Sequence, residues 1–181
     1  MDDAVRTILL LALAAALMTV LAAMATWWLD PQRRLERKLT KLMGGQPDAV
    51  VVGAARGQAA GLRLASQAVG VIRNFEDRGL VFDLDDLIGA ELFFDAQVAA
   101  RIFRGEQRRA LDNIAPSAGR VTIRLVFEDL HHPAFEVDVW APGDDPKNGS
   151  AEQAVVLARN WFTRAESVIR RPLATHAAPG R

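Results

Sequence analysis

The sequence predicts an α+β protein in which an apolar N-terminal helix precedes one small antiparallel β-rich domain, capped by a long C-terminal helix. Residues 7–29 carry no charged side chain, which is typical of a membrane-spanning helix. Short runs between residues 49 and 140 alternate apolar and polar side chains with the period of a half-buried β-strand. Residues 151–171 repeat their apolar side chains with the period of an amphipathic helix.

The uncharged run is predicted to cross a bilayer. A helix of about 23 residues rises about 35 Å, which is enough to span a hydrocarbon core of about 30 Å. Trp27 and Trp28 end the run and are expected to anchor it at the level of the headgroups. The main alternative is a cleaved signal peptide, because Ala23-Met24-Ala25 has the spacing of a cleavage motif. An uncleaved span is favoured because the run is longer than the apolar core of a usual signal peptide.

Charges on the two sides of the run predict its orientation. Residues 1–6 carry Asp2 and Asp3 against the single Arg6, so we expect them to form a short external N-terminus. Lysine and arginine next to a span favour the cytoplasmic side of the membrane. The abundant Ala, Arg and Gly are typical of proteins from GC-rich bacterial genomes. We therefore expect a bacterial inner-membrane protein with a cytoplasmic C-terminal domain. The basic residues that follow the run are Arg33, Arg34, Arg37, Lys38 and Lys41.

Residues 30–45 predict a basic helix next to the membrane. Asp30-Pro31 is typical of an N-cap followed by proline at the first helical position, and Gly44-Gly45 is typical of a helix end, so the helix should span residues 31–43. In one interpretation its basic face contacts anionic lipid. In the other, the charges only fix the topology, and the leucines pack on the domain or on a second copy of the chain. The residues of the first interpretation are Arg34, Arg37, Lys38 and Lys41.

Composition limits the function classes. The chain has 22 basic and 22 acidic residues, so it has no net field that would favour nucleic acid. It contains no cysteine and three histidines, which leave little material for disulfides or a metal site. Nucleophile-elbow, phosphate-loop and zinc-protease motifs do not occur in the sequence. We therefore expect neither an enzyme nor a bound cofactor.

Residues 46–172 are predicted to form the β-rich domain, since about 120 to 130 residues suffice for one core. The polar region 104–119 should be a loop with one helical turn near residues 107–111. Strands are expected at residues 49–54, 57–65, 68–73, 79–84, 87–94, 98–103, 121–128 and 134–140.

A helix should close the domain over residues 151–171. Ser150 and Gln153 form a capping-box pattern before it, and Pro172 ends it. Its apolar stripe is predicted to cover the sheet. Residues 173–181 should be a disordered tail. The stripe consists of Ala154, Leu157, Ala158, Trp161, Ala165, Val168 and Ile169.

Four runs within residues 57–171 carry a resemblance: GLRLASQAVGVIRN, GLVFDLDDLIGAELFFD, VTIRLVFEDLHHPAFEVDVW and AEQAVVLARNWFTRAESVIRR. Together they resemble an uncharacterised bacterial family of membrane-anchored PH-like domains, whose members often follow a transmembrane helix or accompany SHOCT-type oligomerisation segments. The resemblance implies a PH/GRAM-like small barrel or roll, with strands in meander order and the C-terminal helix as its cap. It implies a binding or scaffolding role and brings no catalytic residues.

Two side-chain clusters resemble metal sites only superficially. The acidic cluster lacks the glycine and the terminal glutamate of a calcium loop, so we expect a solvated turn there. His131 and His132 are adjacent and have no third ligand near them in the sequence, so no metal site is predicted. The acidic cluster is Asp83, Asp85, Asp86 and Glu91.

The densest basic set of the domain surrounds residues 104–109. In one interpretation, Arg104, Arg108 and Arg109 form a phosphate-recognising patch for anionic lipid, since PH-like folds often bind such headgroups through a basic loop. The preferred interpretation is a solvated loop that Glu106 and Asp112 neutralise. Further arginines nearby in the sequence are Arg101, Arg120 and Arg124.

The expected function is that of a single-pass membrane protein that presents a PH-like interaction or scaffolding module. The expected partners are the lipid bilayer and either another protein or a second copy of the chain. A sensor of lipid headgroups or of small ligands is the alternative. A concave basic pocket would favour the sensor, and an apolar groove or strand edge beside the helix would favour protein docking.

Overall fold

The computed structural model describes residues 2–76, 78–110, 119–145 and 149–171, and it confirms the α+β class. The described helices are α1 (Asp2–Leu29), α2 (Pro31–Leu42) and α3 (Ala151–Ile169). The described strands are β1 (Ala49–Gly53), β2 (Gln58–Arg63), β3 (Ala68–Ile72), β4 (Leu80–Asp83), β5 (Leu87–Phe94), β6 (Gln97–Phe103), β7 (Arg109–Ala110), β8 (Val121–Phe127) and β9 (Ala134–Trp140).

Helix α1 lies apart from the β-rich domain. Its described side chains from Asp3 to Leu29 are all exposed. Within the described residues it is the one helix long and apolar enough to cross a membrane, and a signal sequence meets the same criteria of length and composition. The helix begins at Asp2 rather than at residue 7, because residues 2–6 contain neither proline nor glycine and can continue it.

The first sheet has the order β1-β2-β3-β4 and is an antiparallel meander, as the sequence pattern predicts. Its outer face carries helix α2. Gly61 and Gly70 lie opposite each other in β2 and β3. A Cβ at Gly61 would lie 2.6 Å from Leu39 Cδ2, and one at Gly70 would lie 2.8 Å from Met43 Cγ. The glycine pair therefore forms the groove that receives α2.

Helix α2 is the predicted juxtamembrane helix, and its apolar side chains are buried against the first sheet. Asp30 caps it by accepting a hydrogen bond from Gln32 N at 3.1 Å, and Pro31 occupies its first position. At the other end, Arg63 donates to the Met43 carbonyl at 2.6 Å. The leucines thus pack on the domain, which is one of the two alternatives left by the sequence. The buried cluster is Leu35, Leu39, Met43, Ala59, Ala68 and Ile72.

The second sheet has the order β7-β6-β5-β8-β9, so the predicted meander order is wrong in this half of the domain. Strand β8 pairs with β5, with Ile123 opposite Leu92 and Leu125 opposite Ala90. The alternation of side chains in β8 determines which face is buried, but it contains no information on which strand lies alongside.

The region after β6 also departs from the prediction. Arg109 and Ala110 form strand β7, which pairs with Ala100 and Arg101 of β6. The helical turn expected near residues 107–111 is therefore wrong over 107–110, because ladder hydrogen bonds to the edge of β6 replace it. Residues 111–118 lie outside the described part of the chain, as do residues 172–181, which contain the predicted tail.

Within the described residues neither sheet closes on itself, so a PH-like barrel is not confirmed. The two sheets meet instead along two edges. On one side Phe82 of β4 stacks on Phe127 of β8, with ring centroids 4.2 Å apart. On the other side β1 approaches β9 without a backbone ladder between them, and Asp138 N donates to the side chain of Gln58 at 3.0 Å. This second meeting line is called the seam below.

Helix α3 covers the main core and begins with the predicted capping box. Gln153 N donates to Ser150 Oγ at 3.3 Å, and Ser150 N donates to Gln153 Oε1 at 3.1 Å. The helix ends at Ile169, two residues earlier than predicted. Leu157, which the sequence placed on the buried stripe, is 58% exposed. The buried face consists of Ala154, Val155, Ala158, Trp161, Phe162, Ala165, Val168 and Ile169.

Candidate functional site

A cleft of about 200 Å³ lies along the seam, where β1, β9, α2 and the start of α3 come together. We call it the seam cleft. It exists because β1 and β9 are edge strands of different sheets and remain unpaired with each other. Its lining residues are Gln32, Glu36, Val50, Val51, Val52, Ala54, Ala55, Val139, Trp140, Asp144, Gly149, Ser150, Gln153, Ala154 and Leu157.

Aliphatic and aromatic side chains line part of the seam cleft, polar side chains line a comparable share of it, and its charged groups are acidic. Glu36 and Asp144 are the charged side chains among its lining residues, and none of the described lining residues is basic. The Asp144 carboxylate accepts a hydrogen bond from Ala141 N at 2.8 Å, which orders the turn after β9. Such a cleft suits an apolar, neutral or basic segment of protein, and it repels an anionic headgroup.

A buried polar network holds the seam together beneath the cleft. Asp138 is 8% exposed and accepts a hydrogen bond of 2.6 Å from the Thr122 hydroxyl. Arg56, at the end of the turn after β1, forms a salt bridge of 2.6 Å with the same carboxylate. In the alternating pattern of residues 134–140, Asp138 shares the polar side of the strand with Glu136. The first sheet covers this end of β9, and no local signal in the sequence reveals that contact.

The basic residues predicted to contact lipid on α2 differ in their surroundings. Arg34 and Lys41 are exposed. Arg37 donates to the carbonyls of Arg33 at 3.1 Å and Trp28 at 2.8 Å. Lys38 Nζ donates to the Phe75 carbonyl at 2.7 Å, so it helps to hold α2 on the first sheet.

The two predicted interface anchors, Trp27 and Trp28, lie beside these arginines. The Arg33 guanidinium lies 4.8 Å from the Trp27 ring centroid, and that of Arg37 lies 5.7 Å from the Trp28 centroid. An open concavity forms where α1 meets α2, and we call it the elbow. Its lining residues are Ala25, Trp28, Leu29, Arg34, Arg37 and Lys38.

The structure does not gather Arg104, Arg108 and Arg109 into one free basic patch. Arg104 is partly buried and donates to the carbonyls of Asp85 at 2.7 Å and Leu87 at 3.0 Å. It therefore fastens the turn between β4 and β5. Arg109 is exposed on β7.

Arg108 has an anionic partner that the sequence analysis missed. It forms a salt bridge of 3.0 Å with Glu166 of α3, and its guanidinium lies 5.5 Å from the Phe162 centroid. The predicted neutralising residues were Glu106 and Asp112, and Asp112 lies outside the described residues. A partner 58 positions away along the chain gives no local signal.

Arg124 also has partners across the second sheet. It pairs with Glu136 at 2.6 Å and with Glu91 at 3.1 Å, and these carboxylates raise the pKa of Arg124, with the hydrogen bond to Glu136 as the largest cause. Glu91 is therefore part of a cross-strand ion-pair network rather than part of an acidic site.

The remaining acidic and histidine clusters have structural roles. Asp83 and Asp86 form the capping box of a 3₁₀ turn over Leu84–Asp86. The backbone N–H groups of His132 and His131 each donate to Asp129 Oδ1 at 2.7 Å, and these bonds lower the pKa of Asp129. Among the described residues no three or more His, Cys, Asp or Glu side chains are grouped so that they could hold a metal ion.

Comparison with known proteins gives no match: no protein-family model, no curated protein and no solved structure is similar to this chain. The resemblance to membrane-anchored PH-like domains thus stays a prediction.

Proposed function

We propose that this chain is a single-pass bacterial inner-membrane protein whose cytoplasmic domain is a PH-like interaction and scaffolding module. The observation that carries the proposal is the seam cleft, which combines two strand edges, the start of α3 and an acidic rim. A partly apolar groove at strand edges beside a helix is the kind of surface that captures a segment of another protein.

The connection between α1 and the domain supports work at a membrane surface. Asp30 is the one residue between α1 and α2, and the buried leucines of α2 fix that helix on the first sheet. If α1 spans the bilayer, no flexible tether separates the domain from the headgroups. The partner of the seam cleft is then a membrane protein or a protein recruited to the membrane.

The cleft also indicates the chemistry of its partner. Leu157 is exposed at the rim, while Glu36 and Asp144 contribute negative charge. A segment with apolar side chains and one or more basic residues would bury Leu157 and complement both carboxylates. A second copy of the chain is one protein that could supply it.

A lipid-headgroup sensor is the second candidate function, and the elbow is the observation that favours it. Arg34, Arg37 and Lys38 line a concavity that is continuous with the apolar end of α1. The arginines at 104 and 108 support this function less, because both contact carbonyls or carboxylates of the domain.

The test is copurification of the full-length tagged protein from its native membrane, with proteins and lipids identified by mass spectrometry. We expect a stoichiometric protein partner that is lost when residues 46–172 are deleted. Leu157→Glu should also remove the partner, whereas Val156→Glu should retain it. Val156 is equally exposed, at 58%, but it does not line the cleft.

Other outcomes would change the proposal. An enriched anionic lipid without a protein partner would favour the sensor. A partner that survives Leu157→Glu would place docking on another surface, and recovery of the untagged chain itself would identify the interaction as self-association.

A further inference from the structure

Helix α2 has an apolar face that packs on the first sheet and a basic face on its opposite side. Leu35 and Leu39 are fully buried against the first sheet. Arg34 and Lys41 are exposed, and Arg37 reaches back to the end of α1. Arg34, Arg37 and Lys41 are therefore directed away from the domain, whereas Lys38 lies at the edge of this face and reaches the Phe75 carbonyl.

Helix α2 folds back toward the side of α1 instead of continuing its direction. In one continuous helix, residues 28 and 37 would lie about 13 Å apart along the axis, which an arginine side chain cannot bridge. The observed hydrogen bond between Arg37 and the Trp28 carbonyl is 2.8 Å long. The basic residues at 34, 37 and 38 thus line the inner side of the bend, together with Ala25 and Trp28.

The inner side of this bend is where a bilayer surface would lie if α1 crosses it. Trp28 and Leu29 would then be at the headgroup level, and Ala25 one turn deeper. Basic and apolar groups meet there in the order in which a phospholipid presents its phosphate and its acyl chains. None of the described residues that line the elbow is acidic.

We propose that the elbow binds the phosphate of an anionic phospholipid. Arg34 and the Nη1 group of Arg37 contact the phosphate, while Nε and Nη2 of Arg37 keep their bonds to the Arg33 and Trp28 carbonyls. Ala25, Trp28 and Leu29 contact the glycerol and the first part of the acyl chains. The bound lipid holds α2 along the bilayer surface with its basic face toward the membrane and the domain above it. This inference rests on the membrane-spanning part of the proposed function and not on the seam cleft.

Native mass spectrometry of the full-length protein in detergent tests the site. The probes are phosphatidylglycerol and phosphatidylcholine with identical acyl chains, added separately. We expect retention of phosphatidylglycerol, about fivefold weaker in Arg34→Gln and about thirtyfold weaker in Arg34→Gln/Arg37→Gln. Arg34→Lys/Arg37→Lys should retain most of the phosphatidylglycerol binding, since it keeps both positive charges.

A matched control removes two arginines elsewhere. Arg78 and Arg159 are exposed in the domain, so Arg78→Gln/Arg159→Gln changes the net charge equally and should leave lipid retention unchanged. Equal retention of both lipids, a loss confined to this control, or no loss in the Arg34 and Arg37 variants would overturn the proposal. Displacement of the lipid by inorganic phosphate at constant ionic strength would assign the site to free phosphate instead.

The intact mass separates this proposal from the one on which it rests. A chain cleaved after Ala25 would lose nearly all of α1, which forms one side of the elbow, and would overturn both the span and the lipid site. An intact chain without preference for phosphatidylglycerol would overturn the lipid site alone. Partner loss in Leu157→Glu tests the seam cleft independently of either result.

Discussion

The basic helix α2 and the arginine-rich region after β6 differ in what their guanidinium groups contact. On α2, Arg34 is exposed and Arg37 holds the bend between two helices. After β6, Arg104 fastens a turn and Arg108 pairs with Glu166. A similar density of arginine thus gives one exposed guanidinium group, that of Arg34, beside the structural contact of Arg37 in one region, and structural contacts at both Arg104 and Arg108 in the other. Tertiary partners, rather than the number of charges, decide which region can bind a ligand.

The largest change in the free energy of unfolding should come from removing the packing of α2 on the first sheet, because this packing directs the basic face of α2 outward. Leu39→Ala should lower the free energy of unfolding by about 3 kcal/mol, because the Leu39 side chain of α2 is fully buried against the glycine pair of the first sheet. Urea titration of the full-length protein in detergent, followed by tryptophan fluorescence, measures this change.

Leu157→Ala is the matched control for that measurement. The same atoms are removed from a side chain that is 58% exposed, so the change should stay within about 0.5 kcal/mol. Equal effects of the two substitutions would mean that α2 does not pack on the domain in solution, and the contrast between the two basic regions would fail.

A smaller effect is expected for Arg104→Gln, which tests the role of this arginine as a fastener. Loss of its bonds to the Asp85 and Leu87 carbonyls should cost about 2 kcal/mol of unfolding free energy. Lipid retention should not change. Arg34→Gln should show the reverse pattern, with unchanged stability and weaker lipid retention. A variant of Arg104 that loses lipid while keeping its stability would return this residue to the lipid-contact set.

The smallest effect should be the coupling between Arg108 and Glu166. The arginine side chain is 40% exposed, so solvent screens the pair, and a double-mutant cycle with Arg108→Gln and Glu166→Gln should give about 0.5 kcal/mol. About 1 M salt should abolish most of it. A coupling that is absent already at low salt would show that Arg108 is available to a ligand, which would make the two basic regions more alike.

The sequence predicted the helices and most strand limits because their signals are local. Asp30-Pro31 marks the start of α2, Ser150 and Gln153 mark the start of α3, and the alternation in residues 121–127 marks a half-buried strand. Each signal arises within a few neighbouring residues, so it can be seen without knowledge of the tertiary fold.

The sequence could not predict the contacts between distant segments. The pairing of β8 with β5 and the burial of Asp138 follow from how the two sheets meet. The hydrogen bonds of Arg104 go to backbone carbonyls 17 and 19 positions away. Because every residue has a backbone carbonyl, the sequence does not indicate which ones Arg104 contacts. The seam cleft is the product of such a contact between distant segments. The elbow forms within residues 25–38 instead, and the sequence predicted its Trp28 as an interface anchor and its basic residues as lipid contacts.

If α1 spans the bilayer as proposed, the single residue Asp30 couples the tilt of α1 to the orientation of the domain. Hydrophobic helices change their tilt when the thickness of the surrounding bilayer changes. A long linker would absorb such a change, but a single residue between α1 and a docked α2 leaves almost no slack. The domain then rotates together with α1, with Asp30 as the connecting residue. The orientation of the seam cleft relative to the membrane therefore depends on the tilt of α1.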